Sequence, residues 1–184
     1  MFAYIFWHVP FADGNKSEYE AALTAFHRHL ANDASQGFKG SATYGISNVA
    51  WLSNRTGYED WYFVDSTSAL DGLNKAAVEP ERWDVHASVS YKTEFGHGGM
   101  YYHLRGEKQP VHGSKIVWLK RPKRIRYETP LQEIIDSSKG FLSCWRKFLV
   151  LGPADEFAII GDETLDVRPP SDWRSLSVSR RRLV

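Results

Sequence analysis

The chain has a single cysteine and lacks long apolar runs. Cys144 is the only cysteine in 184 residues, so no disulfide can form within the chain, and a metal site would depend on histidines and carboxylates. No apolar stretch approaches the ~20 residues that cross a bilayer. The N-terminus has no basic segment followed by an apolar run and a cleavage site. These absences predict a cytoplasmic protein without a membrane partner.

Charge of one sign is not in excess either. The 23 basic and 22 acidic residues leave a net charge of +1, so no field over the whole surface attracts nucleic acid or a membrane. The basic runs LKRPKRIR (Leu119–Arg126) and SRRRLV (Ser179–Val184) are local. Because neither run has aromatic residues interleaved with its basic ones, we expect a solvated edge or a flexible tail, and no nucleic-acid partner.

Sequence motifs for common cofactors are also missing. There is no HExxH, paired CxxC, P-loop or dinucleotide-binding glycine pattern, and no nucleophile elbow around a serine or cysteine. His27 and His29 are two residues apart on a predicted helix, so they point in different directions and cannot share a metal ion. Metal, nucleotide and acyl-transfer enzymes are therefore disfavoured, and we expect no metal site.

Aromatic residues, in contrast, are abundant. Seven Trp, nine Tyr and ten Phe make up 14% of the chain. This number indicates a cavity with flat walls or a subunit interface, and a bulky core is the alternative explanation. The expected partner is therefore a hydrophobic or aromatic small molecule, and association into a homodimer is a further expectation.

Two segments of the chain resemble one another. Tyr58–Asp65 reads YEDWYFVD, and Asp155–Asp162 reads DEFAIIGD. Each has an acidic entry, an apolar strand and a closing acid, and each follows another apolar strand and a turn. This similarity predicts an internal duplication.

Residues 1–107 show the order strand–helix–strand–strand–helix–strand. Phe2–Val9 is continuously apolar, as is typical of a central strand covered on both faces. Ser17 and Glu20 form an S-x-x-E capping box at the start of the first helix. The other elements are predicted from alternation and turn residues: strands at Phe38–Leu52, Glu59–Val64 and Met100–Arg105, a helix from Ser66 to Val78 that Pro80 ends, and a further helix within Trp83–Tyr91.

Residues 113–184 follow a linker, GEKQPVHG at Gly106–Gly113, and repeat most of this order. Thr129 and Pro130 are suited to the cap and first turn of a helix, whereas the second helix is missing because DVRPP (Asp166–Pro170) cannot form one. Strands are predicted at Ile116–Lys120, Trp145–Leu151, Glu156–Ile160 and Trp173–Val178. The sequence thus predicts an α+β fold of tandem ferredoxin-like units, with a complete βαββαβ unit at 1–107 and a shortened copy at 113–184.

The acidic–aromatic strands EDWYFVDS and DEFAIIGDE, with the closing strand FGHGGMYYHLRG, resemble strands of the dimeric α+β barrel superfamily, especially its antibiotic-biosynthesis monooxygenase-like group. The resemblance covers most of residues 1–161. It implies antiparallel sheets packed face to face as an α+β barrel, which a tandem copy could form within one protomer. Members include cofactor-free monooxygenases, haem-dependent enzymes and isomerases. The Asn, Trp and His set of the monooxygenases has no matching fixed positions in this chain.

Candidate site residues are those that alternate into the space between the two sheets. His8 and His103 are the expected catalytic residues, because a neutral imidazole on a strand can accept a substrate proton near physiological pH. Tyr44, Trp61 and Tyr102 are expected to form the substrate-binding walls. The alternative is that each histidine is structural, with its ring nitrogens bonded to the backbone or a tyrosine. Alternation does not determine which face of each strand lines the cavity.

Three functions are compatible with these residues. The first is a small-molecule-binding protein that acts as a cofactor-free, monooxygenase-like enzyme on an aromatic or polyketide-like compound. The second is a non-catalytic interaction or assembly module that uses its aromatic residues in the core and interface. The third is haem binding through His97 or His103, because the glycines beside His97 would let a planar macrocycle approach the backbone.

Overall fold

The computed structural model describes residues 1–32, 35–78, 83–108 and 113–184. Within these residues it has nine β-strands and four α-helices. The strands are β1 (Phe2–Pro10), β2 (Phe38–Ile46), β3 (Gly57–Val64), β4 (Thr93–Gly106), β5 (Lys115–Lys120), β6 (Lys139–Lys147), β7 (Phe157–Asp166), β8 (Arg174–Ser179) and β9 (Arg181–Arg182). The helices are α1 (Lys16–Asn32), α2 (Ala69–Val78), α3 (Trp83–Ser90) and α4 (Glu128–Ser137). No helix in these ranges is long and apolar enough to cross a membrane.

One antiparallel sheet contains all nine strands, in the order β8-β5-β7-β6-β4-β1-β3-β2-β9. The first half has the order β4-β1-β3-β2 and the second half the order β8-β5-β7-β6, and pairing of β4 with β6 joins them. The predicted α+β class with antiparallel pairing is therefore confirmed. The unit boundaries 1–107 and 113–184 stay predictions, and residues 109–112 of the expected linker lie outside the described residues.

The C-terminal segment closes this sheet on itself. β8 pairs with β5 at one end of the strand order, and β9, just beyond Arg180, pairs with β2 at the other end. The backbone N–H of Leu183 also donates to the carbonyl of Thr43 at 2.8 Å. The expectation that SRRRLV is a flexible tail is wrong, because its backbone groups complete the hydrogen bonding of an edge strand that would otherwise be open.

The strands have one face inside the resulting ring and one face outside it. On β1, Ile5 and Trp7 point inward, whereas Phe6 and His8 point toward the helices. Seven large aromatic side chains, all almost fully buried, occupy the interior: Trp7, Tyr44, Trp61, Phe63, Tyr101, Trp118 and Trp145. The prediction of a cavity between the two sheets is therefore wrong. Most of these rings pack against one another at centroid distances of 5.5 to 6.3 Å and fill that space.

The outer face of the second half is covered by α4 and by one tryptophan. Leu131, Ile134 and Ile135 of α4 pack on this face. The Trp173 ring lies 5.9 Å from that of Phe157 and is buried in the same cluster. This indole completes the covering layer in the half whose sequence predicts no second helix.

Two helix starts differ from those expected. The side-chain oxygen of Asn15 accepts from the backbone N–H groups of Ser17 and Glu18, at 2.9 and 3.2 Å. Asn15 therefore caps α1 in place of Ser17, because it lies immediately before Lys16, the first residue of the helix, and its side chain reaches the free N–H groups of the first turn. Thr129 lies inside the first turn of α4 and does not cap it. Pro80, the expected end of α2, lies outside the described residues.

Candidate functional site

A cavity of about 530 Å³ lies between the outer face of the first half of the sheet and helices α1, α2 and α3. Its walls are mainly apolar: Tyr4, Phe6, Phe26, Leu30, Leu70, Leu73, Ala77, Val78 and Val89. Such a volume and lining are typical of small-molecule sites. We call this space the helix-side cavity, and it lies on the opposite face of the sheet from the filled ring interior.

Two polar residues of the cavity, His8 and Asp60, come from neighbouring strands. In the antiparallel pairing of β1 with β3, Phe6 lies opposite Asp60 and His8 lies opposite Tyr58. His8 and Asp60 are therefore diagonal neighbours on one face, within side-chain reach. The His8 Nε2 is 3.0 Å from Asp60 Oδ2, and the imidazole is stacked between Phe6 and Tyr58, whose centroids are 5.1 and 5.6 Å away.

The hydrogen bonds around His8 indicate which protons it carries. Thr93 Oγ1 donates to the carbonyl of Val89 at 3.0 Å, so it accepts from the Tyr19 hydroxyl, 2.7 Å away. The Tyr19 oxygen then accepts from His8 Nδ1 at 2.6 Å. With an ionised Asp60 accepting from Nε2, all of these bonds are made at once only when both ring nitrogens of His8 carry protons. The arrangement is a buried imidazolium–carboxylate pair.

Asp60 is the most unusual residue of the site. Its Oδ2 accepts from the Tyr62 hydroxyl at 3.2 Å and lies 3.6 Å from Nε2 of His27, in addition to the His8 contact. Its Oδ1 is buried and has no hydrogen-bond partner among the described residues, and Asp60 is one of the residues that line the cavity. A buried carboxylate oxygen without a donor is costly unless something else supplies one. Asp60 Oδ1 is thus the open acceptor of the site.

The electrostatics agree with an ionised Asp60. Burial alone would raise the pKa of this carboxyl, but the nearby imidazoles of His8 and His27 outweigh burial and lower the pKa well below its usual range. Burial and the charge of Asp60 raise the pKa of Tyr62 well above that of a free tyrosine, and the same two causes raise the pKa of Tyr4. Both phenols therefore remain neutral, and that of Tyr62 donates to the carboxylate.

Only one of the five predicted site residues lines the helix-side cavity. His8 does so. Trp61 and Tyr44 are buried inside the ring, where the Trp61 indole donates to Glu59 at 2.7 Å and the guanidinium of Arg180 lies 4.1 Å from the Tyr44 ring centroid. Both side chains face the interior of the ring, and that interior is packed with side chains.

The two remaining predicted residues lie at the far end of β4. Tyr102 pairs with Phe2 across β1 and β4, whereas His8 pairs with Gly96 at the opposite end of β1. The Tyr102 hydroxyl accepts from Arg146 at 2.9 Å. His103 follows it, and its ring packs edge-on against Trp145 at 5.1 Å. The structure does not bring His8 and His103 together.

The positions of His103 and His97 bear on the possibility that either histidine binds haem. Burial lowers the pKa of His103, which favours the neutral ring that a metal requires, but the ring faces Trp145 and does not border the cavity. His97 is exposed on β4 and leans against Phe95 at 5.8 Å. Neither histidine is among the described residues that line the helix-side cavity.

Sequence reasoning missed Asp60, Tyr19 and His27. Tyr19 and His27 are on the buried side of α1, where His27 Nδ1 lies 2.7 Å from Ser41 Oγ. One signal was readable: Glu59 and Asp60 are adjacent acids in a strand of aromatic residues, so alternation must bury at least one of them. Within the described ranges, no group of three or more His, Cys, Asp or Glu side chains is placed to hold a metal ion.

The adjacent acid, Glu59, is buried inside the ring and is fully bonded. Its Oε1 accepts from Arg180 Nη1 at 3.2 Å and from Trp61 Nε1 at 2.7 Å, and its Oε2 accepts from Trp7 Nε1 at 2.8 Å. Arg180 also donates to the carbonyl of Gly113. Both charged side chains are completely buried. This ion pair fixes the segment that closes the sheet and leaves no group free for a ligand.

Comparisons with solved structures show where this architecture occurs. An anthrone oxidase-like protein matches 99% of this chain and 93% of its own, with 9% identity and a TM-score of 0.51. A candidate monooxygenase from Lactobacillus acidophilus NCFM matches 100% and 94%, with 12% identity and a TM-score of 0.53. A candidate chlorite dismutase matches 99% and 95%, with 8% identity and a TM-score of 0.51.

These similarities concern the fold. No protein-family model matches the sequence, and no curated protein matches it significantly. Because the three structural matches span nearly the whole of each chain, they show that this chain has the same α+β fold as these proteins. Identities of 8 to 12% carry no residue roles across.

Proposed function

We propose that the protein binds a flat, largely apolar small molecule in the helix-side cavity and holds a hydroxyl group of that molecule at Asp60. We further propose that it acts on this molecule as a cofactor-free, monooxygenase-like enzyme. The observation that carries the proposal is that Asp60 lines a mainly apolar cavity and that its buried Oδ1 has no donor among the described residues. Neighbours described as an anthrone oxidase-like protein and a candidate monooxygenase support the choice of reaction.

The residues have distinct roles in this proposal. Apolar side chains of α2 and α3 take up the body of the ligand, and Tyr4 and Phe6 offer aromatic faces from β1. Asp60 Oδ1 accepts the ligand hydroxyl, and a hydrogen bond to a charged acceptor contributes about 1.5–3 kcal/mol. Because its pKa is low, Asp60 stays ionised, so it accepts a charge-assisted hydrogen bond but is a weak base. His8 keeps it ionised and oriented.

An enolised anthrone illustrates the chemistry. Its hydroxyl would donate to Asp60 Oδ1, and polarisation of that O–H bond raises the electron density of the ring that reacts with dioxygen. Conversion of an anthrone to the anthraquinone takes one oxygen atom into the new carbonyl and releases the other as water. All of the electrons come from the substrate, so the step requires no separate reductant.

Binding is tested with two probes that differ by one hydroxyl group, 2-naphthol and naphthalene. We expect the protein to prefer 2-naphthol by about tenfold or more, as a charge-assisted hydrogen bond predicts, and Asp60→Asn to reduce that preference. Asp65→Asn is the matched control, because Asp65 lies just beyond the same strand and is exposed. Equal affinity for the two probes, or an unchanged preference in Asp60→Asn, would contradict the role of Asp60.

Catalysis is tested separately by dioxygen uptake with anthrone. We expect the wild-type protein and Asp65→Asn to consume dioxygen above the rate without protein, and Asp60→Asn to be slower by about tenfold. Dioxygen uptake at the background rate, combined with a clear preference for 2-naphthol, would contradict the proposed enzymatic activity and support a protein that only binds its ligand. That outcome is the non-catalytic alternative, and haemin titration without a Soret shift would exclude the haem alternative in the same preparation.

We also infer that the two halves of the chain are copies of one unit. The order β4-β1-β3-β2 in the first half corresponds, strand for strand, to β8-β5-β7-β6 in the second. Both segments that resemble one another in sequence contribute to the third strand of their half, β3 and β7. In this interpretation the cavity occurs in the half that has two covering helices between its last strands, α2 and α3.

A further inference from the structure

A second surface, formed by residues that do not line the helix-side cavity, combines exposed apolar side chains with a local excess of positive charge. The loop between β6 and β7 exposes Leu149 at 73%, Val150 at 89% and Leu151 at 46%. Six large apolar side chains are exposed in the described part of the chain, and these three are the only consecutive ones. A run of this kind on a surface indicates an interaction site.

The loop is held in place by the strands beside it. The backbone N–H of Phe148 donates to the carbonyl of Met100 at 2.7 Å, and the N–H of Met100 donates to the carbonyl of Leu151 at 3.2 Å. The ammonium of Lys147 donates to the carbonyl of Gly152 at 2.9 Å. The apolar side chains are therefore presented by a fixed loop.

A basic groove lies against this loop. Leu149 and Val150 line it, and its charged lining comprises seven basic and two acidic side chains, an excess of five positive charges: Lys120, Arg121, Lys123, Arg124, Arg146, Lys147 and Arg174, with Asp155 and Glu156. The whole chain has a net charge of only +1, so its positive charge is concentrated here. We call the groove and the loop together the basic apolar face.

The cations of this face are of two kinds. Arg121 and Arg146 are bound to Glu156, at 2.9 and 3.2 Å, and shape the groove wall. Lys120, Lys123 and Arg124 are exposed and make no ion pair with any described residue. The unpaired charges therefore lie beside the exposed apolar loop and remain available to an external anionic surface.

We propose that the basic apolar face docks on an anionic lipid bilayer. Leu149 and Val150 enter the boundary between headgroups and acyl chains, while Lys123 and Arg124 meet the anionic headgroups. Exposed apolar residues surrounded by Lys and Arg are the combination that binds to such interfaces, since apolar burial and attraction to anionic lipid add together. The contact lies on the membrane surface and involves no span.

Other occupants match the face less well. A second copy docked by twofold symmetry would place the same excess of five positive charges against itself, which opposes association. A single-stranded nucleic acid would need aromatic rings on which bases stack, and the groove lining contains none. The run Leu119–Arg126, expected from the sequence to be a solvated edge, gains this role only beside the loop of β6 and β7, 20 or more residues later.

The test is co-flotation with vesicles of phosphatidylcholine alone and of phosphatidylcholine containing about one third phosphatidylserine. We expect the protein to float only with the anionic vesicles at low salt, and to be released by about 0.5 M NaCl because added salt screens surface charge. Leu149→Ser/Val150→Ser and Lys123→Glu/Arg124→Glu should each weaken binding about tenfold or more.

Two controls match these variants. Lys16→Glu/Arg28→Glu makes the same change in net charge on α1 as Lys123→Glu/Arg124→Glu makes on the face. Tyr91→Ser removes an exposed large side chain elsewhere on the surface. Both controls should bind the vesicles as the wild type does. A dye on Val150→Cys reports depth, because the native Cys144 is buried; its emission should shift to the blue with anionic vesicles. No flotation of the wild type, equal loss in Lys16→Glu/Arg28→Glu, or an unshifted dye would overturn the proposal.

Self-association is measured on the same samples by analytical ultracentrifugation. A monomer that binds anionic vesicles supports docking on lipid. A dimer that Leu149→Ser/Val150→Ser converts to a monomer, with no vesicle binding by the wild type, would identify the face as an interface between copies and overturn the proposal. Either result is independent of the helix-side cavity and of its ligand.

Discussion

Glu59 and Asp60 are adjacent in β3, and both are buried, but they point to opposite faces of the sheet. Glu59 faces the ring interior, where both of its oxygens accept hydrogen bonds from Arg180, Trp61 or Trp7. Asp60 faces the helix-side cavity, where one oxygen is crowded with donors and the other has none among the described residues.

This difference separates a structural carboxylate from one available to a ligand. A fully bonded ionic group inside a packed core specifies the arrangement of the chain around it and has no capacity for another partner. A buried acceptor that is left open beside an apolar space is expected to have a donor when the protein functions. Four predictions test the contrast, in order of decreasing effect.

The largest effect is expected when the Glu59 ion pair is broken. Arg180→Met removes the cation and leaves a buried carboxylate without its countercharge, so the free energy of unfolding should fall by about 3–5 kcal/mol. Urea unfolding followed by circular dichroism measures this change. The double variant Glu59→Gln/Arg180→Met should recover part of the loss, and a double variant that is less stable than Arg180→Met would contradict the pairing.

A smaller loss of stability is expected on the other face of β3. Asp60→Asn leaves the His8 imidazolium without its counter-ion, which should lower the free energy of unfolding by about 1–3 kcal/mol. The same urea experiment applies, with Asp65→Asn as the exposed control. A loss as large as that of Arg180→Met would mean that Asp60 is as structural as Glu59, and the contrast between the two faces would disappear.

The pH dependence of stability should also distinguish Asp60. Its pKa is lower in the folded than in the unfolded chain, so its contribution is complete above the unfolded-state value, near pH ~4, and is lost as the pH falls through the folded-state value. We expect the stability of Asp60→Asn to decrease less steeply below pH ~4 than that of the wild type. If the free energy of unfolding fell equally steeply with pH below pH ~4 in the wild type, Asp60→Asn and Asp65→Asn, this prediction would be wrong.

The smallest change in stability, with a large change in binding, is expected from filling the cavity. Ala77 is partly exposed on α2 and lines the cavity, so Ala77→Phe should alter the free energy of unfolding by less than ~1 kcal/mol. It should nevertheless abolish 2-naphthol binding in a fluorescence titration. Lys75→Phe, on the exposed side of the same helix, is the control. Unchanged affinity in Ala77→Phe would place the ligand elsewhere.

Much of the fold was readable from local patterns. The apolar first strand, the helix that contains Tyr19 and Phe26, and the hairpins around Glu59 and Glu156 all follow from periodicity and turn residues. His8 was identified because a histidine in an apolar strand must be either satisfied or functional. Asp60 could have been identified by the same reasoning, since adjacent acids in a strand point to opposite faces.

Other parts of the site depend on contacts between distant residues. His27 approaches Asp60 across 33 positions of sequence because α1 packs over β3, and no spacing rule links a helix residue to a later strand. The sequence also did not indicate whether the cavity lies in the ring interior or on the helix side of the sheet, because both faces of β1 are apolar. Packing resolved it: four indoles fill the ring, whereas α1, α2 and α3 leave a space above Asp60.

The sequence by itself determined most of the elements, but not β9, and it determined their order and the antiparallel class of the sheet, because hydrophobic period and turn chemistry act over a few residues. The tertiary structure decided the closure of the ring through Arg180, the filled interior, the position of the cavity and the open oxygen of Asp60. These features depend on volumes and hydrogen-bond partners brought together from distant parts of the chain. Local periodicity contains no information about either.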